Sequence, residues 1–284
     1  MSNAAELAQA VVRSFREPPP PAGIADPDTN KDSAGARGRA DGPGSADTPA
    51  AGPAAIAPAV PVPAGALPEP ADLATTLRRR RAIRTFAPVP VTPEVLFASV
   101  AAGMDTDRRY WPDEQGCCPL EPVLVAQRVA GLAPAIYGID LAARSATAVF
   151  ALAGPGAYEE LTLQREFAGA GAVVAVLADV DAAARRHGGH GYRLLMTRAG
   201  AAVYAMWLDA VARGLVGSVF AGFLPAAIRT PLRCDGVSRH QLFAVAVGNP
   251  PEEALSPPRG RAAGAARVPR PDQGPTGQAE GGET

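Results

Sequence analysis

Between about residues 71 and 250 the apolar positions recur with the spacings of regular structure, and outside those bounds they do not. These periods predict helices over 72–81, 93–103, 156–167 and 191–213, and strands over 123–129, 173–179, 216–220 and 241–247. Asp72 is placed to cap the first helix, whose Leu73 and Leu77 lie one turn apart. Pro88, Pro90 and Pro93 then impose an extended connection. It ends with Thr92 as N-cap, Pro93 at the first helical position and Glu94 in the first turn. In the long helix Leu194, Leu195, Met206, Trp207, Leu208 and Val211 supply bulk, while Gly200 and the alanines leave room for another backbone to come close.

Composition bounds this picture. Of 284 residues, 30 are proline and 30 glycine, and alanine swells the hydrophobic fraction, so the folded part is smaller than the chain. We read residues 71–250 as one folded domain. Residues 1–70 and 251–284 are rich in Pro, Ala, Gly and Asp, cannot bury enough apolar surface to offset the entropy of ordering, and read as disordered tails. Within the first, residues 4–16 have the pattern of a short amphipathic helix. The net charge is −1, and the basic residues lack interleaved aromatics, so nucleic acid is not indicated as a partner. No stretch has the length of a membrane span, and the N-terminus lacks the layout of a secretion signal, so we expect no membrane association and a cytoplasmic location.

Several chemistries lack their residues. The single lysine, Lys31, lies in the proline-rich tail, which leaves phosphate-loop and Schiff-base mechanisms without their lysine, and there is no Gly-x-Ser-x-Gly elbow. Gly169-Ala170-Gly171-Ala172 precedes an apolar strand instead of following one, the wrong order for a dinucleotide turn. Cys117, Cys118 and Cys234 form no disulfide framework, and with His187 and His190 they lack the spacings of a zinc site. Reduced core thiols and no metal are the expectation.

The most informative stretch is 78–84, where Arg78, Arg79, Arg80, Arg81 and Arg84 crowd seven residues. Such arginines are either solvated, complementing the negative end of the first helix, or they hold an anion.

Arg80-Arg81-Ala82-Ile83-Arg84-Thr85-Phe86 resembles the opening motif of the nitroreductase-like flavoproteins, with Ala82 where that family has serine. Three later segments follow in the family's order. Pro112 to Glu121 with Gly131 to Asp140 looks like a run from the branch of azoline dehydrogenases that act on ribosomal peptides. Gly191-Tyr192-Arg193 through Gly217 to Phe223 is similar to the central helix and the strand-turn that meets the flavin. Leu242 to Pro250 is similar to the closing strand.

The resemblance implies an α+β, nitroreductase-like fold with a central mixed or antiparallel sheet flanked by helices, and a homodimer about the long helix. It implies FMN as cofactor, with Arg80, Arg81 and Arg84 on its phosphate and ribityl groups and the Ala221 and Gly222 backbone at N5. Arg259 or Arg261 is a further phosphate ligand by position. It also implies an oxidoreductase that converts peptide thiazolines or oxazolines to azoles, with a peptide or small-molecule substrate and a cyclising enzyme as partner. The branch's proton-transfer pair falls on Arg186-His187, and of these only histidine serves as a base near neutral pH. A solvated loop histidine is the plainer reading of His187. Asp113, in place of a flavin-contacting serine, and Glu114 bring two carboxylates where a reduced flavin disfavours them. An NAD(P)H-dependent nitro- or quinone reductase and a non-catalytic partner protein are the alternatives.

Overall fold

The computed structural model describes residues 52–252, apart from 154 and 163. The helix expected at 4–16 lies outside the described residues, as do Arg259 and Arg261. In chain order the elements are β1 (Val60–Pro61), α1 (Leu73–Arg79), α2 (Pro93–Tyr110), β2 (Glu121–Ala126), β3 (Ala135–Asp140), β4 (Ser145–Ala151), α3 (Pro155–Glu159), β5 (Ala172–Ala178), α4 (Val180–His187), α5 (Gly191–Ala212), β6 (Val216–Phe220), α6 (Pro225–Ile228) and β7 (His240–Gly248). The strands make one seven-stranded antiparallel sheet, in the order β1-β4-β3-β2-β5-β7-β6. Beyond β6 a single parallel bridge, Ala82 to Gly217, lays the arginine-rich segment along the edge.

Strand pleating divides the core in two. Leu124, Val174, Val176 and Val245 point to one face, where they meet Phe97, Val100 and Met104 of α2 and Leu195, Val203 and Met206 of α5. Val123, Val125, Val173 and Ala175 point to the other, against Tyr158, Leu161, Phe167, Phe223 and Leu232. Covered on both faces, β5 is buried at every position, which is why it reads as an unbroken apolar run. Helices α2 and α5 approach so closely that a Cβ on Gly103 would collide with the Ala202 carbonyl and the Met206 side chain. Of the alanines and Gly200 expected to allow a close approach, it is Ala202, two residues beyond Gly200, that does so; Gly200 itself faces Phe243 at ordinary distance.

Several expectations are corrected by the coordinates. No single helix spans 156–167: α3 ends at Glu159, Thr162 Oγ1 accepts the Gln164 N–H at 3.2 Å, and a 3-10 turn follows over Arg165–Gly169. That local bond competes with helix continuation, and the break lets Leu161 and Phe167 enter the same core from positions that one helix would turn apart. Hairpin β3–β4 and helix α4 were not anticipated. The strand read at 123–129 stops at Ala126, and α2 runs to Tyr110. Asp72 caps α1 by accepting the Thr75 N–H at 2.9 Å, but Leu73 and Leu77 stay exposed and Thr76 turns inward. The stretch before Pro70, expected to be disordered, adds β1 to the β4 edge. There Val62 is buried, its N–H donates to the Arg144 carbonyl at 2.7 Å, and Arg144 donates to the Pro63 carbonyl at 3.0 Å. Composition hid this because a main-chain edge contact needs few large side chains.

Candidate active site

The cluster around His187 begins with a buried ion pair. Arg198 of α5 and Asp107 of α2, 91 positions apart, meet with no solvent exposure in a bidentate pair, Nε to Oδ1 at 2.9 Å and Nη2 to Oδ2 at 2.8 Å. Arg198 Nη1 also donates to the Cys118 carbonyl at 2.9 Å, and Gln115 Nε2 to Asp107 Oδ2 at 2.9 Å. This anchors the 3-10 turn Pro112–Glu114 and the residues after it, which bring the Glu114 carboxylate 3.8 Å from Arg198 Nη1.

Helix α4 ends on His187, whose Nε2 lies 2.9 Å from Glu114 Oε2, while Arg186 Nε stands 3.6 Å from Oε1. Burial pushes the Glu114 carboxyl up, but the His187 hydrogen bond and the charges of His187, Arg186 and Arg198 outweigh it and hold the carboxyl below its ordinary range. An ionised carboxylate only accepts, so His187 Nε2 is the donor to it, and in the neutral ring Nδ1 is then the nitrogen without a hydrogen. His187 is therefore not a solvated loop residue. It ends a helix, keeps about a quarter of its side chain exposed, and is hydrogen-bonded to a carboxylate. Of the two carboxylates expected to disfavour a reduced flavin, Glu114 is neighboured by His187, Arg186 and Arg198, while Asp113 faces solvent.

A second feature lies where β6 ends. Ala221-Gly222-Phe223 turns sharply, with Gly222 at φ +107°, and the Gln241 side chain of β7 spans the turn. Gln241 Nε2 donates to the Ala221 carbonyl at 2.9 Å, and its Oε1 accepts the Phe223 N–H at 2.9 Å. Tyr192, in the first turn of α5, lies with its ring 6.5 Å from that of His240, the neighbour of Gln241.

The arginines are distributed rather than pooled. Arg80 lies over the Trp207 ring at 5.1 Å, on the α5 face of the sheet. Arg84 pairs with Glu166 at 3.0 Å, near the Phe167 ring and therefore by the opposite face. Arg81 is exposed. The Trp207 indole Nε1–H is buried without an acceptor among the described residues. An anionic, hydroxyl-rich ligand is compatible with this donor set: Trp207 lacks an acceptor, Arg81 is exposed, and the Arg84–Glu166 pair, at 51% and 39% side-chain exposure, costs little to open.

Of the nominated residues, Arg186 and His187 are brought together, and Ala221 and Gly222 share one turn; the partners Glu114, Gln241, Asp107 and Arg198 come from distant sequence. A Glu114 carboxylate oxygen and the sulfurs of Cys117 and Cys118 lie within 4.8 Å of one another, but that carboxylate is already committed to the ion network. Cys234 belongs to the other face and His190 is exposed, so the five candidate zinc ligands do not converge. Burial pushes the Cys118 thiol up to about 12, reinforced by Cys117, and Cys234 to about 11.

Sheet order, the long central helix and the ordered motif positions together define the fold, and the comparisons identify its family. The sequence profile of the Nitroreductase family matches residues 77–249, so the chain belongs to that family. No curated protein is a significant match. Among solved structures, an Anabaena variabilis protein described as a nitroreductase is similar at TM-score 0.54 and 21% identity, over 63% of this chain and 38% of that one. The chain thus spans well under half of that protein. The E. coli microcin synthetase McbBCD complex with truncated pro-MccB17 bound is similar at TM-score 0.49 and 14% identity, over 59% of this chain and 68% of that one. A Desulfovibrio desulfuricans protein solved with FMN gives 0.42 and 20%, over 70% and 97%. Among the described residues no helix is long and apolar enough to cross a membrane.

Proposed function

We propose that this chain is an FMN-dependent oxidoreductase that removes two hydrogens from a substrate ring, with peptide thiazolines or oxazolines as the substrate class. The observation that carries the proposal is the Glu114-oriented imidazole of His187. Aromatising an azoline takes one ring hydrogen as a proton and the other as a hydride with its electron pair. A nicotinamide donor gives up a hydride with no carbon-bound proton to remove, so a reductase has no need of this base.

His187 Nδ1 accepts the ring proton, and Glu114 stabilises the imidazolium that results. The Arg198–Asp107 pair holds Glu114 in place, and Arg186 stays charged as an electrostatic neighbour. When bound, FMN supplies the hydride acceptor. Arg81 and Arg84 would hold its phosphate and ribityl oxygens, Arg84 after leaving Glu166, and Arg80 would join them only by leaving the Trp207 ring on the other face of the sheet; the Ala221-Gly222 backbone would serve N5. Leu73 and Leu77 of α1 and Tyr204 of α5, all exposed in the single chain, support a homodimer about the long helix.

The test is anaerobic titration of FMN-loaded protein. A thiazoline-bearing peptide bleaches the visible flavin band, and NADH and NADPH do not. Bleaching by nicotinamide alone reassigns the chain as a nitro- or quinone reductase. A protein that takes up no FMN is a non-catalytic partner of a cyclising enzyme.

A further inference from the structure

We propose that Gln241 is a positioning residue that sets the direction of the Gly222 N–H toward the flavin N5; this rests on the flavin reading above. Strand β6 pairs with β7 only as far as Phe220 opposite Ala244. Past that point the chain leaves the sheet, and the Gln241 amide takes over the ladder, donating to the Ala221 carbonyl and accepting from the Phe223 N–H, both at 2.9 Å. A primary amide, with one donor side and one acceptor side, meets both requirements in one plane. The side chain reaches the turn because β7 shifts register there: Phe243 faces Val176 but Gln241 faces Leu177, so a bulge re-aims position 241.

The consequence for Gly222 follows from peptide planarity. The peptides are trans, so the Gly222 N–H points opposite to the Ala221 carbonyl that Gln241 holds, away from the sheet interior. A side chain at 222 would be strained at φ +107° and its Cβ would collide with the Gln241 amide, so this pair of residue types forms one unit. A glutamine that merely filled core space would need neither bond. Here both polar ends of a buried side chain are committed to the one turn expected to meet the cofactor.

The experiment compares FMN with 5-deaza-FMN, in which a C–H replaces N5 and removes the acceptor. Full-length wild-type protein should bind FMN about fivefold more tightly than the deaza analogue, the scale of one neutral hydrogen bond. In Gln241→Glu the carboxylate repels the Ala221 carbonyl, the peptide loses its fixed direction, and the ratio should fall to about one. Gln241→Met, which keeps length and removes both polar ends, should do the same if the buried carboxylate prevents folding. A merely structural role weakens both ligands in parallel and leaves the ratio intact, which would overturn the proposal, as would a wild type that binds both equally. A wild type that binds neither overturns the flavin reading itself.

Discussion

Replacing Arg198 by methionine tests the foundation of the His187 cluster. The side chain is fully buried and makes four polar contacts: two bonds to Asp107, one to the Cys118 carbonyl, and an approach to Glu114 at 3.8 Å. Methionine fills the aliphatic volume but leaves the Asp107 carboxylate buried with Gln115 as its remaining side-chain donor among the described residues. Stranding one partner of such a pair costs about 3–5 kcal/mol, and for a domain of this size that lowers Tm by about 6–20 °C. The double variant Asp107→Leu/Arg198→Met removes both charges and should recover most of the loss, because the penalty arises from the stranded charge. Urea unfolding of wild type, both single variants and the double variant closes the cycle. A cost below about 1 kcal/mol for Arg198→Met, or a double variant as unstable as the two single losses added together, would show that the pair is solvated or uncoupled and would remove the support assigned to Glu114.

Other outcomes are expected from the same coordinates. Arg84→Ala should change stability by less than about 1 kcal/mol, since Arg84 and its partner Glu166 are both well exposed, yet weaken FMN by about 1.5–3 kcal/mol in a fluorescence titration. The Glu114 carboxyl is held low in the folded chain, so its contribution to stability is present above the unfolded pKa of about 4.3 and is lost as pH falls through the lower folded value. The gap in urea midpoint between wild type and Glu114→Gln should accordingly close in acid and persist at neutral pH. His187→Ala should slow single-turnover flavin reduction by an azoline peptide on the order of a hundredfold with FMN affinity nearly unchanged, and an unaffected rate would assign the proton elsewhere. Protein starting at residue 71 should be less stable to urea than protein starting at 52, by about the 1.5–3 kcal/mol of a buried valine, because Val62 and β1 are lost.

Local physics made much of the framework legible in the sequence. Asp72 before a helix, Pro93 at a first turn, the apolar run of β5 and the long apolar helix α5 each carry their own signal within a few residues, and each appears close to where the pattern puts it. The same locality misled at 156–167, where a helical period is interrupted by a Thr162 hydroxyl bond, and at Leu73 and Leu77, whose spacing is helical but whose face the described residues leave exposed. His187 was found as a residue type at an aligned position, but its partner could not be, because Glu114 is 73 positions away and reaches it only after Arg198 and Asp107 have joined two helices. Gln241 carries no signal at all at the head of a continuous apolar strand until β7's register shift aims it at the turn after β6. Propensity and period act between neighbours in sequence, so they determined the elements and the order of the motifs. Which charges are compensated and which backbone groups are held depends on what packing brings within about 3 Å, and that was decided by the tertiary structure alone.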